Sequence, residues 1–479
     1  MCCYRTPLRY VLMAALLIEA SLAWSWTGLA EESLTLKALP IRDEFGRELI
    51  LGGYVAITED SKGVIRYSRD DYRRMVRMGA NAQVIRVTLG RLGGWPNHPA
   101  DPDYLDQIDE MVRFAKEAGL KTIFKLVVYD VHPFGPEQWD ALYRNKDGTQ
   151  DTVLKAWRTL WEKYKDEPSV FGYDLLNEPQ RGLNMEEEDA ANSFLLPTLR
   201  RFAEALREVS PHKWALFQPL MLSPENRKPG VDPFLSFAEP FGQDRIIFAP
   251  HLYHMDVAIM QRRLEKYLQE ANLSHAPLLI GEWGPATPLA TDSDPKLQER
   301  FTTVYRSTAA ALDRYKIGAI KAWFCGSRSP LRRTGREPFT WAIFSDDTPT
   351  GQVERRYITD VLARPRPLVV AGTIQNYGFD FDERVFSLKL RCNSASRSTE
   401  IFVSADRHYP RGFRLKLNDD VIMTFAPDRS EPTSIQAEGE QAREQARFVR
   451  WDCDSLHLIV EKWVVPCAEV DLRISPVVP

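Results

Sequence analysis

Two stretches of the chain end an apolar, strand-length run in a glutamate. Residues 171–180 read Phe-Gly-Tyr-Asp-Leu-Leu-Asn-Glu-Pro-Gln, and the run stops at Asn177, Glu178 and Pro179, three residues that strands avoid. Residues 276–284, Ala-Pro-Leu-Leu-Ile-Gly-Glu-Trp-Gly, carry Glu282 in the same way. Enzymes built on parallel sheets keep their chemistry at the carboxyl ends of the strands, so both side chains are expected on one rim. Such a pair suits hydrolysis of a glycosidic bond with retention. One carboxylic acid protonates the leaving oxygen, and one carboxylate, about 5 to 5.5 Å away, attacks the anomeric carbon. Ionising one acid disfavours ionising the other, which separates their pKa values. On this reading Glu178 is the general acid/base and Glu282 the nucleophile. A glutamate taken at random is far more often a solvated loop acid; the two apolar flanks argue against that here.

The elements that must position these acids alternate regularly. Strand-like runs cover 49–57, 82–88, 122–129, 171–176, 214–219, 245–249, 278–280 and 319–324. Helical patterns lie between them, at 68–78, 103–118, 152–165, 194–209, 257–271 and 295–315. The second has Tyr104, Leu105, Ile108, Met111, Val112 and Ala115 on one face of a 3.6-residue period. Eight strand–helix units over roughly 300 residues are the size of a closed (β/α)8 TIM barrel of the α/β class. An open doubly wound sheet is the rival, and no Gly-x-Gly-x-x-Gly follows the first strand to support it. Residues 36–51 read as an irregular lead-in with a turn at Asp43-Glu-Phe-Gly-Arg47.

A helix at 352–362 ends at Arg364-Pro-Arg-Pro367, where two prolines mark a boundary. Beyond it the apolar period switches to two, in runs at 385–390, 400–403, 413–417, 421–425, 448–451, 456–460 and 470–474. The expected organisation is a catalytic barrel over 31–364 and a small all-β sandwich over 365–479. Arg5 and Arg9 precede an apolar run at 11–18 and small residues before Ala23 and Ala30, the pattern of a signal peptide over 1–30. Export, secreted or periplasmic, is expected, with a retained anchor as the alternative.

The net charge of −4, with 27% charged residues, excludes a nucleic-acid partner and an acidic disordered chain. The 12 tryptophans exceed what core filling usually needs; sugar clefts use exposed rings, although most of these are expected in the core. Of six cysteines, Cys2 and Cys3 fall in the signal and Cys325 is expected to be buried and inert. Cys392, Cys453 and Cys467 leave room for one disulfide, and no spacing suggests a metal site.

Leu-Leu-Asn177-Glu178-Pro179 and Ile-Gly-Glu282-Trp-Gly resemble the acid/base and nucleophile motifs of family 5 glycoside hydrolases, the cellulase-like group of retaining (β/α)8 enzymes. The resemblance implies further site residues. Arg86 would contact the nucleophile, and His132 is the histidine of the third strand. Asn177 would hold the sugar 2-hydroxyl, His251 and Tyr253 form the pair of the sixth strand, and Trp323 is the stacking platform of the eighth. An arginine would keep Glu282 ionised, the Tyr253 hydroxyl would favour the same form, and Trp323 would offer its face to sugar C–H groups.

The tail, with Thr399-Glu-Ile-Phe-Val403 and His408-Tyr-Pro-Arg-Gly-Phe413, resembles the sandwich of endoglycoceramidase-type members, which cleave between glycan and ceramide. There is one departure: those enzymes continue the third-strand motif as Asp-x-His-Gln-Asp, whereas Pro133 and Phe134 follow His132 here. Trp95, Phe134, Trp139 and Trp341 are candidates to line a lipid groove or sugar subsites. The resemblance implies an O-glycoside hydrolase that needs no metal or cofactor. Its substrate would be a glycolipid or another β-glucoside, with peripheral contact to a lipid surface. The alternatives are an endo-β-1,4-glucanase or mannanase, and, from another class, an inactive sugar-binding barrel, which would have no need of both glutamates.

Overall fold

Eight parallel strands alternate with helices in the first three quarters of the chain. In the computed structural model these are β1 (Gly52–Ile57), α1 (Arg69–Arg77), β2 (Ala82–Thr88), α2 (Pro102–Glu117), β3 (Lys121–Val127), α3 (Thr149–Tyr164), β4 (Val170–Asp174) and α4 (Leu196–Val209). They continue with β5 (Trp214–Phe217), β6 (Ile246–Phe248, resuming at His251–Leu252), α5 (Val257–Leu273), β7 (Leu279–Trp283), α6 (Pro295–Tyr315), β8 (Gly318–Lys321) and α7 (Arg356–Leu362). The residues described are 36–60, 63–93, 99–128, 135–228, 231–326, 338–346, 348, 350–393, 397–464 and 469–477. The expected signal region, Trp95, His132, Phe134 and Cys467 lie outside them.

Local chemistry sets the helix starts. Ser68 and Asp71 bond reciprocally to each other's backbone at the head of α1. Asp101 and Asp294 cap α2 and α6, each followed by a proline at the first helical position. The strands are buried along almost their whole length, as parallel strands covered on both faces must be. The order is β6-β5-β4-β3-β2-β1-β8-β7, every pair parallel. The first piece of β6 pairs with β5 and its second with β7, and Phe248 also bridges Leu278, which closes the ring. Gly53 allows the tight β1–β2 approach, since a Cβ there would lie 1.7 Å from the Ala82 carbonyl.

Beyond α7 the chain forms two sheets. One contains β9 (Arg366–Val370), β12 (Thr399–Phe402), β16 (Val449–Asp452) and β17 (His457–Val460). The other orders β10 (Gly372–Asp380), β11 (Val385–Cys392), β18 (Glu469–Pro476), β13 (Phe413–Leu417), β14 (Val421–Phe425) and β15 (Pro432–Ala437). Buried and exposed residues alternate along β11 and β18, as for antiparallel strands with one wet face.

The supposed lead-in is a correction. Ile41–Arg42 and Glu48–Leu49 form a hairpin that pairs with Val369 and Val370, so this segment belongs to a sandwich sheet, and the first barrel strand starts at Gly52 rather than at 49. The Asp43 carboxylate holds the turn by accepting from the amides of Phe45 and Arg47, and Glu48 accepts from the amide of Ile374. Trp139 is a second correction. It lies in the helix Pro136–Tyr143, 1% exposed and stacked on Tyr143, and is not a loop residue lining a groove. Cys325 is buried, as expected, and burial pushes its thiol up to about 12. Cys453 carries a free thiol.

Ion pairs fasten the end of the barrel and join it to the sandwich. Arg364, just past α7, donates from Nε to Asp313 of α6 at 2.8 Å, and both side chains are buried. Arg407, from the sandwich, reaches Glu354 at 2.8 Å and Asp360 at 2.9 Å. Replacing Arg364 by leucine strands the Asp313 carboxylate in a dry environment, and the expected loss is about 3–5 kcal/mol in urea unfolding; a loss under about 1 kcal/mol would contradict this role.

Candidate active site

The site begins with strand register. Pairing places Arg86 of β2, Lys125 of β3 and Asp174 of β4 side by side in one layer of the barrel, and His251 of β6 opposite Glu282 of β7. Lys125 is 1% exposed. Its Nζ donates to Glu282 Oε1 at 2.8 Å and to His251 Nε2 at 3.0 Å, and lies 3.4 Å from the Gly281 carbonyl and 3.6 Å from Asp174 Oδ2. The Tyr253 hydroxyl donates to the other oxygen of Glu282.

An ammonium has hydrogens and no lone pair, so His251 Nε2 must accept. The imidazole proton then resides on Nδ1, which donates to Glu178 Oε1 at 2.9 Å. The same Nδ1 lies 3.9 Å from Glu282 Oε2. These two distances laid end to end keep an oxygen of Glu178 and an oxygen of Glu282 within about 7 Å of each other, a limit that accommodates the 5–5.5 Å of a retaining pair. One histidine thus holds the two acids of the sequence expectation to a common point.

Glu178 lies four residues past the end of β4 with φ at +45°, a conformation a glutamate rarely adopts. Buried bonds hold it there. Its amide donates to Gln218 Oε1 at 3.0 Å, and the amide of the preceding Asn177 donates to the Leu126 carbonyl at 2.9 Å. Gln218 is fully buried, and its amide nitrogen donates to Asp174 Oδ2 at 2.7 Å, so one side chain links the backbone of Glu178 to the acid beside Lys125.

The electrostatics divide the acids. Burial alone would raise the Glu282 carboxyl, but the Lys125 ammonium and the hydrogen bonds from Lys125 and Tyr253 outweigh it and hold the group well below the usual carboxylate range. Asp174, without a hydrogen bond on its second oxygen, is pushed up to about 6 by burial against the pull of Lys125. Among the described residues, no cluster of three or more His, Cys, Asp or Glu side chains is arranged to hold a metal ion.

The other expected residues fall as follows. Asn177 is buried beside Glu178, and Tyr253 and His251 meet the acids directly. Trp323 is half-buried, with its ring 5.3 Å from that of Trp341, which meets Phe339 at 4.7 Å. The Trp341 carbonyl accepts from the Trp323 amide at 3.0 Å and from Lys321 at 2.8 Å, which keeps this aromatic row together. Arg86 is half-buried in the same layer, and Lys125, which the sequence expectation did not include, is a cation in contact with Glu282 at 2.8 Å. The sequence carried one clue to Lys125: it is a charge inside an otherwise apolar run, Ile123-Phe-Lys-Leu-Val127.

The sequence model described as cellulase (glycosyl hydrolase family 5) matches residues 66–320, more than half of the chain, and that of the glycoside hydrolase family 5 C-terminal domain matches 364–455. The chain belongs to glycoside hydrolase family 5. Endoglycoceramidase I of Rhodococcus hoagii is similar to this family 5 chain, 26% identical over 334 residues, which is 62% of the chain and 59% of that protein. The endoglycoceramidase of Hydra vulgaris is 24% identical over 311 residues, 60% of the chain and 52% of that protein. The chain thus spans somewhat over half the length of the curated relatives it matches. Endo-glycoceramidase II from Rhodococcus sp., in a structure with a ganglioside, superposes with a TM-score of 0.62 at 19% identity, covering 92% of this chain and 100% of that one, a likeness of fold.

The Tyr253 hydroxyl favours ionised Glu282, so its removal raises the pH at which Glu282 takes up a proton. A hydrogen bond to a buried charge is worth about 1.5–3 kcal/mol, and Tyr253→Phe should move the acid limb of kcat/KM up by about one to two pH units. An unmoved limb would show that the hydroxyl does not control this carboxylate.

Proposed function

We propose that this protein is a retaining β-glycosidase that releases glycan from a glycolipid, or from another β-glucoside with a hydrophobic aglycone. The observation that carries the reading is the shared imidazole: His251 Nδ1 lies 2.9 Å from Glu178 and 3.9 Å from Glu282, with Lys125 on its other nitrogen.

In the first step Glu282, kept ionised, attacks the anomeric carbon while Glu178 gives its proton to the leaving oxygen. In the second, Glu178 takes a proton from water, which cleaves the glycosyl ester and restores Glu282. In this reading Asn177 holds the 2-hydroxyl, and the row Trp323, Trp341 and Phe339 offers apolar faces to sugar C–H groups or to the aglycone. Arg86 and His132 complete the sugar site in this reading. The endoglycoceramidase relatives support a glycolipid as substrate, and the apolar run near the N-terminus supports export, with peripheral contact at a lipid surface.

Glu282→Gln should lower kcat on an aryl β-glucoside by roughly 10³-fold or more with circular dichroism unchanged. Azide should restore turnover to Glu178→Ala and yield the β-glycosyl azide, because a small anion needs no general base. Rescue of Glu282→Gly with α-azide product instead of β would be consistent with the nucleophile role, whereas unaltered kcat in Glu282→Gln would refute it. Substrate class is decided by incubating the enzyme with a glycosylceramide beside cello- and manno-oligosaccharides. Release of free ceramide is expected, and cleavage confined to the oligosaccharides would remove the glycolipid reading.

A further inference from the structure

Retaining hydrolysis moves charge inside the barrel, and Lys125 sits where that charge leaves. When Glu282 forms its bond to the anomeric carbon and the bond to the leaving group breaks, Glu282 becomes a neutral ester. The proton lost by Glu178 goes to the leaving oxygen, so the negative charge now resides on Glu178. Glu178 reaches Lys125 only through His251. A buried ammonium deprived of its direct partner costs several kcal/mol. Among the described residues the polar partners of the Lys125 ammonium are Glu282, His251, Gly281 and Asp174, and of these only Asp174, at 3.6 Å, offers a second carboxylate.

We propose that Asp174 is a positioning residue that acts through Lys125: it keeps the buried ammonium paired while Glu282 is esterified, and so favours the covalent intermediate over the free carboxylate. The inference rests on the retaining reading above and deepens it.

The geometry suits the role. Asp174 and Lys125 are register neighbours on adjacent strands, each 1% exposed. Gln218 holds Oδ2 of Asp174, the oxygen that faces Lys125. The acid also ionises above about 6, so near neutrality two carboxylates lie within 4 Å of the Lys125 ammonium in the free enzyme. Esterifying Glu282 neutralises one of them and leaves Asp174 paired with Lys125, with no proton transfer to or from Asp174. Nothing in the attack on sugar requires this acid, and it lies outside the pair of glutamates that carries the chemistry.

The test separates the two half-reactions in Asp174→Asn, with Asp174→Ser as a second variant if the first folds poorly. With an aryl glycoside of poor leaving group, kcat/KM reports formation of the intermediate. With a dinitrophenyl glycoside, kcat reports its breakdown. Loss of the counter-ion should lower the first about tenfold and leave the second no lower than wild type. In a Lys125→Met background the same substitution should produce no such split. A parallel fall in both rates, or a split that persists without Lys125, would overturn the proposal and show a merely structural role. A 2-deoxy-2-fluoro glycoside on the wild-type enzyme, followed by mass spectrometry, checks the reading beneath it. An adduct on Glu282 with a parallel fall removes only the Asp174 inference, whereas no adduct removes both.

Discussion

The site depends on one buried ion pair. Lys125 and Glu282 meet at 2.8 Å in the interior of a closed barrel, where each charge alone would be expensive. The pair is tolerable because every donor of the ammonium has an acceptor nearby: a carboxylate, an imidazole nitrogen, and a carbonyl or second carboxylate. Those acceptors come from β4, β6 and β7, so the cation of β3 draws together strands on different parts of the ring. An open sheet would not bring β3 and β7 within reach of one side chain.

From that pair the state of the rest follows. A donor at His251 Nε2 places the ring proton on Nδ1, and that proton faces Glu178. Lys125 therefore acts on both glutamates, directly on Glu282 and through the ring on Glu178. Gln218 performs the mechanical counterpart, holding the Glu178 amide with one end and Asp174 with the other. The left-handed backbone at Glu178 persists because these bonds, and that of Asn177 to β3, over-determine it.

Much of this was legible in the residues. The eight strands lie within a few residues of their expected bounds because buried parallel strands read as apolar runs closed by glycine and proline, and the helices because their caps are side-chain signals. Glu178 and Glu282 were visible as acids ending such runs. The hairpin at 41–49 was not, since two-residue strands carry no period and their partners Val369 and Val370 are more than 300 residues away. Lys125 was hidden for another reason: a lysine in a strand normally signals a solvent-facing position, and only its neighbours across the barrel show that it faces inward. Asp174 and Gln218 are of the same kind, polar residues in apolar segments whose partners are set by register. Trp139 shows the converse, a large ring near the rim that packs into the core.

The proposed double displacement rests on Glu178 and Glu282 both lying against the imidazole of His251. It is tested most directly by following the anomeric proton signals of the first-formed sugar by NMR as the enzyme cleaves a β-glycoside. Double displacement yields the β-anomer first, with the α-anomer growing in only as the product mutarotates. The α-anomer as the initial product would mean a single inverting displacement and would contradict it.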